Sequence, residues 1–467
     1  MSDQSPTQQR PSYDELLAEN ALLRRRVAEL ESVVEELRHQ LEELRRSNKR
    51  QAAPFSKGAP KENPKPPGRK PGHPPSFRMI PQRVDRIEDV PLPFTVCPEC
   101  GGRIEQVEVV PQYQTDLPPI EPTTTRFDIH TGQCKRCGKR VQDRHKDQTS
   151  DALGRASVQI GPNALSLGSE MKHRLGLSYG KVHTFFQSVF GFAISRSTFV
   201  RADTRLALLF ESTYECLILS LRQQQVVYGD ETGWKIAGHS AWLWVFTQEE
   251  LTVYHIDPSR AHSVIERVLG EGFQGTLSCD CFLAYDAVAY AQQKCMAHLL
   301  RNAKDIEKTK SRGAVRFPRA VQRLFQAAIR LKKRQEEMSP HGFTIARGRL
   351  ETALDRLLLG NFTDPDNDRF AKRLRKHRHQ LFPFLYDAQV QPTNNAAERA
   401  LRPAVIARKL SAGNRTAQGA KNHSILASVI QTCRQQGEDF QAWAKTLLCS
   451  PNPIIPPWAL KGYPLPP

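Results

Sequence analysis

Three acidic residues carry the chemistry that this sequence implies. Asp230 ends the apolar run Gln225-Val-Val-Tyr-Gly-Asp230, and Asp280 ends a second, Gly275-Thr-Leu-Ser-Cys-Asp280; both runs read as strands. Glu398 lies far downstream in Pro392-Thr-Asn-Asn-Ala-Ala-Glu398-Arg-Ala-Leu-Arg402, at the start of a predicted helix. Carboxylates dispersed in sequence but gathered by a fold are hard oxygen ligands suited to magnesium, with manganese as the alternative ion. The same chain carries a formal net charge of +18, from 67 Lys and Arg against 49 Asp and Glu. A basic chain attracts polyanions. Acids for a pair of cations roughly 4 Å apart, set in a basic protein, point to phosphodiester chemistry on DNA.

Placing those acids requires a particular order of elements. Ala241–Phe246 and Leu251–Ile256 read as two antiparallel neighbours of the first strand, a helix follows over 261–269, and the Asp280 strand comes next. Three hairpin-linked strands, a helix and a further strand are the ribonuclease H-like order, in which the first and fourth strands lie side by side. Side chains alternate along a strand, so Asp230 and Glu231 face opposite ways. Asp230 is assigned to the site and Glu231 away from it. For Glu398, Asn395 three residues earlier offers a purely structural alternative, a capping box. Against that stand Arg399, Arg402, Arg408 and Lys409, a dense cationic face for DNA on the same helix. Cys295-x-x-His298-x-x-Arg301 opens another predicted helix, where His298 orients a phosphate or nucleophile, or serves structure alone. Cys279, Cys281 and Cys295 read as ordinary buried thiols. Of Trp234, Trp242 and Trp244, at least two are expected to pack in the core, and an exposed one could stack on a base.

The remaining chain divides by composition. Over 11–50, Leu16, Leu23, Leu30, Leu37 and Leu44 repeat every seven residues with Val27, Val34 and Asn20 at the other seam position. That pattern predicts a parallel coiled coil and hence a homodimer or larger assembly. Residues 51–93 form a proline-rich basic linker containing Arg69 and Lys70, which either lies along phosphates or is a charged spacer. Cys97-Pro-Glu-Cys100-Gly and Cys134-Lys-Arg-Cys137-Gly, within 94–147, predict a four-thiolate zinc site, with short strands at Val107–Val110 and Thr124–His130 between them. Residues 155–222 read as helical, with Ser195 as an N-cap and a helix-turn-helix outline. The core then spans 223–300 and 389–436, interrupted by a helical insertion over 301–388 and followed by a tail over 437–467. In the insertion, the basic cluster Lys372–Arg378 either meets phosphates or faces solvent. No stretch approaches the roughly 18 apolar residues of a membrane span. The polar N-terminus lacks a signal-peptide core, so a cytoplasmic, nucleoid-associated protein is expected.

Several of these motifs recur together elsewhere. Gly68-Arg-Lys-Pro-Gly-His73, the four cysteines, Asp230-Glu-Thr232, Asp280 with Tyr285, Cys295-x-x-His298-x-x-Arg301, and Asn394-Asn395-x-x-Glu398-Arg399 with Arg408-Lys409 resemble transposases of the insertion-sequence 66 family, a bacterial DDE-type group. The resemblance implies a multi-domain α+β protein that uses Asp230, Asp280 and Glu398 as its acidic triad. It further implies two-metal strand transfer on DNA, acting on terminal inverted repeats and a target, beside small accessory proteins of the same element. The rival expectations are a DNA-binding regulator without activity and a nuclease of the same fold.

Overall fold

A computed structural model describes residues 19, 21–31, 33, 34, 36, 72, 77–118, 120–452 and 454–460. The chain forms two compact units, residues 1–115 and 116–467, and the division falls between the two cysteine pairs. In the first unit, residues 21–31 are helical, and Leu23, Val27 and Leu30 are each more than half exposed. Most of the heptad repeat and most of the linker, including Arg69 and Lys70, lie outside the described residues. The first cysteine pair closes a tight turn in which Gly101 N donates to Cys97 O and Cys97 N to Gly102 O.

The second unit opens with a small hairpin, β1 (Thr131–Gln133) and β2 (Arg140–Gln142), that carries the other cysteine pair. This corrects the strand expectation for the region. Neither Val107–Val110 nor Thr124–His130 is extended into a ladder. Val107, Val109 and Val110 are 65–90% exposed, so their β-branched side chains have nothing to pack against.

Four helices follow: α1 (Pro162–His173), α2 (Tyr179–Phe190), α3 (Arg196–Leu209) and α4 (Glu211–Arg222). Their ends obey local chemistry. Ser178 and Ser195 cap α2 and α3 by accepting from Lys181 N and Thr198 N, and Gly191 ends α2 at φ 61°, where a Cβ would be strained.

The central sheet contains β3 (Val226–Ile236), β4 (His239–Thr247), β5 (Thr252–Asp257), β6 (Thr276–Cys279) and β7 (Ala291–Lys294). Its order is β5-β4-β3-β6-β7, with β3, β4 and β5 antiparallel and β3, β6 and β7 parallel. Helix α5 (His262–Leu269) makes the crossover to β6, and α6 (Leu283–Asp286) leads to β7, a strand without a distinct signal in the sequence. Alternation along the strands builds two cores. Val227, Trp244, Phe246, Val253 and Leu277 pack on α4, α5, α12 (Ala417–Gln436) and α13 (Phe440–Cys449). Val226, Tyr228, Leu243, Val245 and Tyr254 face the other way. They meet α7 (Met296–Thr309), α8 (Arg316–Lys333), α9 (Pro340–Leu358), α10 (Pro365–Lys376) and α11 (Asn395–Ser411). Among the described residues, no helix is long and apolar enough to cross a membrane.

Candidate active site

The parallel pairing of β3 with β6 sets the two aspartates. Val226 faces Thr276, Val227 faces Leu277 and Tyr228 faces Ser278. Carried two residues further, that register brings Asp280 level with Asp230. Both belong to the even-numbered face that looks toward α7 and α11, because Val226 and Tyr228 pack there while Val227 and Leu277 pack opposite. Glu231 accordingly points away. Its Oε1 accepts from Arg260 Nε at 3.1 Å and Nη2 at 2.7 Å, and its Oε2 from Tyr285 OH at 2.7 Å. Asp230 Oδ1 accepts only from the Glu231 amide at 2.9 Å, and Asp280 Oδ1 from the Phe282 amide at 2.8 Å. Asp230 does not end its strand as the apolar run implied: β3 continues to Ile236 and pairs with β4 along its whole length.

Glu398 reaches the same region through the loop before α11. Asn394 Nδ2 donates to Gly229 O at 2.7 Å, Asn394 N to Cys295 Sγ at 3.2 Å, and Met296 N to Pro392 O at 2.9 Å. These bonds pin the start of α11 to the strand position before Asp230 and to the start of α7. Glu398 Oε1 then stands 3.7 Å from His298 Nε2. The capping-box alternative does not describe this helix start. The N-cap is Asn394 rather than Asn395, and it makes no side-chain cap hydrogen bond. Glu398 sits one position beyond the reach of that motif, with its carboxylate turned to His298.

Electrostatics set this pocket apart. Burial, the adjacent Glu231 and the Asp280 charge push the Asp230 carboxyl up to about 7, with only the Glu231 amide and His298 acting against them. The Cys295 thiol beside His298 raises that imidazole above its ordinary value, with the charge of Asp280 adding to the effect. Cys295 responds in kind: burial opposes ionisation, but His298 and the Asn394 amide outweigh it and lower the thiol. Among the described residues, no three of His, Cys, Asp and Glu are gathered into a ready metal-ligand set. The donor chemistry nevertheless fits a hard cation. Asp230 is a half-buried carboxylate that pairs with no Lys or Arg among the described residues, and Asn394 Oδ1, bonded to nothing, is a buried oxygen at the same loop.

The basic residues fall into two sets. Arg399 and Arg402 are exposed and line a polar groove of about 1350 Å³ between α11, α12 and the ends of β3 and β4. Arg301 and Lys409 are exposed as well. Arg408 is drawn inward, its Nη1 donating to Thr232 Oγ1 and Gly233 O at 2.7 Å each, so its charge serves the α11–β3 contact. The cluster at Lys372–Arg378 is also largely spent within the protein. Arg375 caps Leu358 O and Gly360 O, Lys376 pairs with Asp286 at 2.6 Å, and Arg378 grips Asp355. Arg375 and Lys376 nonetheless stay exposed, as a solvated face requires, while Arg378 is half-buried.

The cysteine pairs form local knuckles. Cys97 and Cys134 thiols are each lowered by backbone amides of their own turn, Glu99 with Cys100 and Arg136 with Cys137. Sequence reasoning did not single out Arg260, which belongs to no motif. It also missed Lys294, a fully buried lysine on β7 paired with Asp286 at 2.9 Å. Trp234 and Trp244 are core residues, while Trp242 is only half-buried.

Among curated proteins, the chain is similar to three uncharacterized proteins of Sinorhizobium fredii (strain NBRC 101917 / NGR234). Identity to y4qI is 25% over 295 residues, covering 55% of this chain and 53% of that protein, so the match spans about half of that relative. Identity to y4jD is 23% over 406 residues, covering 79% and 77%, and to y4hP 24% over 425 residues, covering 79% and 72%. The family model described as "Transposase IS66 family" matches residues 157–422, more than half of the chain and the whole stretch holding Asp230, Asp280, His298 and Glu398. The chain belongs to the IS66 family of transposases.

Proposed function

We propose that this chain is a DDE-type DNA transposase with a ribonuclease H-like core, in which Asp230, Asp280 and Glu398 act together. The observation that supports the reading is the register of β3 against β6, which, extended two residues, would bring Asp280, just past β6, level with Asp230. The strand order supports the core assignment. The Asn394 tether supports including Glu398.

Asp230, Asp280 and Glu398 would hold two magnesium ions, or manganese. When bound, these ions lower the pKa of water or a 3′-hydroxyl and neutralise charge on the leaving oxygen. The chain's own residues do the rest. Asp230 and Asp280, each fixed by one backbone amide, present carboxylate oxygens rather than swinging freely. His298 lies between the aspartates' field and Glu398, where it orients that carboxylate. In the first step, water oxygen bonds to phosphorus at the element's end, the phosphorus–oxygen bond breaks and a 3′-hydroxyl departs. In the second, that hydroxyl attacks a target phosphodiester and displaces the target's own 3′-oxygen. Arg399, Arg402, Lys409 and Arg301 are the exposed cations available to phosphates.

The surrounding parts fit the same reading. The apolar seam exposed over residues 21–31 suits pairing of two copies, which would hold both element ends in one complex. Residues 94–147 are proposed as a zinc module, on the spacing of the cysteines and the knuckle turn of each pair. The helices over 155–222, the linker with Arg69 and Lys70, and the zinc module would recognise terminal repeats. The helices over 301–388 are an insertion in the core. Small accessory proteins of the same element and a cytoplasmic, nucleoid-associated setting follow from the family resemblance.

Labelled terminal-repeat DNA incubated with the protein and magnesium tests the reading. Joined products are expected; cleavage without joining would mean a nuclease, and a shifted but uncut band a regulator. Asp230→Asn should cost on the order of a thousandfold in cleavage while leaving the shifted band intact. Elemental analysis should find about one zinc per chain. Chelation should increase proteolysis only around residues 90–145, and an unchanged digest would remove the zinc assignment.

A further inference from the structure

The two aspartates are joined by a circuit that no motif announces. Asp230 Oδ1 is held by the amide of Glu231 at 2.9 Å. The Glu231 carboxylate, with a side chain only 3% exposed, grips Arg260 through two nitrogens. The Arg260 guanidinium carbon lies over two rings, 4.2 Å from the Trp242 centroid and 3.7 Å from that of Phe282. The Phe282 amide returns the circuit to Asp280 Oδ1 at 2.8 Å. Tyr285, one turn on, closes the far side by donating to Glu231 Oε2.

We propose that Arg260 is a positioning residue for the reaction, fixing the spacing of Asp230 and Asp280 by clamping the Glu231 strand to the Phe282 turn. The proposal rests on the assignment of the two aspartates as cation ligands. Three features separate this arginine from an ordinary surface strut. Asp280 lies just past the end of β6, so no ladder hydrogen bond fixes it and its turn must be anchored by side chains. The guanidinium is the charged group that touches both the β3–β4 hairpin, through Glu231 and Trp242, and the Asp280 turn, through Phe282, and Tyr285 backs it from the other side of Glu231. A lysine could pair with Glu231 but could not lay a planar group over two rings, so charge alone does not meet the requirement. Partners one step behind metal ligands commonly alter metal affinity or activity by about 10- to 100-fold when removed.

The test uses the full chain and manganese binding followed by electron paramagnetic resonance, alongside cleavage of labelled end DNA. Arg260→Gln is expected to weaken manganese binding by about tenfold or more and lower kcat, with KM for DNA within about twofold. Arg260→Lys should fail to restore either quantity. Phe282→Leu keeps the bulk but not the aromatic face, so it should show a smaller loss of the same kind; it carries the test if Arg260→Gln does not fold. Thermal melting of each variant separates positioning from unfolding. Wild-type manganese affinity and kcat in a folded Arg260→Gln or Phe282→Leu would overturn the proposal while leaving the aspartates' assignment standing. Manganese binding in the wild type that Asp230→Asn leaves untouched would overturn both.

Discussion

Asp203 is a buried acid and Asp230 a half-buried one in the same compact unit, and the protein treats them oppositely. Asp203, on α3, accepts from His173 Nε2 at 2.9 Å and from Tyr179 OH at 2.6 Å. Burial alone would raise its pKa, but the His173 charge and the hydrogen bonds from His173 and Tyr179 outweigh that and lower it. Asp230 has the burial without the answer: its carboxyl rises to about 7, and among the described residues no side chain donates to it. A fold that spends two side chains, His173 and Tyr179, on one aspartate could have done the same for the other. The two aspartates thus differ in their partners: one is answered by side chains of the chain and the other is not.

The sharpest way to break this contrast is to neutralise each acid in turn. Asp203→Asn strips the charge from a buried hydrogen-bonded pair and should cost about 3–5 kcal/mol of stability. Asp230→Asn should do the reverse in metal-free protein. Because the folded pKa of Asp230 is raised, its protonated form carries the stability, which is lost as pH climbs from the usual carboxylate range through about 7. The asparagine variant should therefore gain up to about 4 kcal/mol at pH 8 and nothing below about pH 4. Urea melts of both variants at the two pH values measure this. Two losses of similar size would show the acids to be equivalent after all.

A second measurement refines the structural side of the contrast. His423, on α12, is buried against His173, with ring centroids 5.1 Å apart, and against Trp234 at 5.3 Å. Burial, followed by the charges of His173 and Lys172, holds its pKa well below the ordinary value. The folded protein keeps His423 neutral, whereas the unfolded chain takes up a proton as pH falls through about 6.5. Stability should then drop by about 2 kcal/mol between pH 7 and pH 5 on this account alone. His423→Gln should flatten that slope; an unchanged slope would assign the acid sensitivity elsewhere.

What the sequence discloses follows the range of the physics. Alternation and apolar runs mark β4, β5 and β6 within about two residues, and the start but not the end of β3, because burial on one face or both is written locally. The cap at Ser195 does the same for the start of α3. β7 is hidden, since Ala291–Lys294 carries two glutamines and a lysine whose burial depends on distant Asp286 and Leu381. The runs Val107–Val110 and Thr124–His130 mislead for the converse reason: β propensity without a partner strand makes no ladder. In the site, the aspartates' shared face is legible from periodicity. The role of Arg260 is not, because its three contacts come from β3, β4 and the turn after β6.

The same distinction between spent and unspent charge applies to the arginines, with a smaller expected effect. Arg375 and Arg378 have carbonyl or carboxylate partners inside the protein, whereas Arg399 and Arg402 face an open groove beside Glu398. A cation already paired releases no counterions when DNA arrives, because its charge is neutralised beforehand. Arg399→Gln and Arg402→Gln should each reduce the salt slope of DNA binding by about 0.9, the contribution of one phosphate contact. Arg378→Gln should leave that slope alone and instead loosen the turn after α10 from α9, which Asp355 holds. Binding isotherms over a range of salt concentrations separate the two sets. A slope change from Arg378→Gln equal to that from Arg399→Gln would mean that sequence clustering, rather than internal pairing, decides which cations meet DNA.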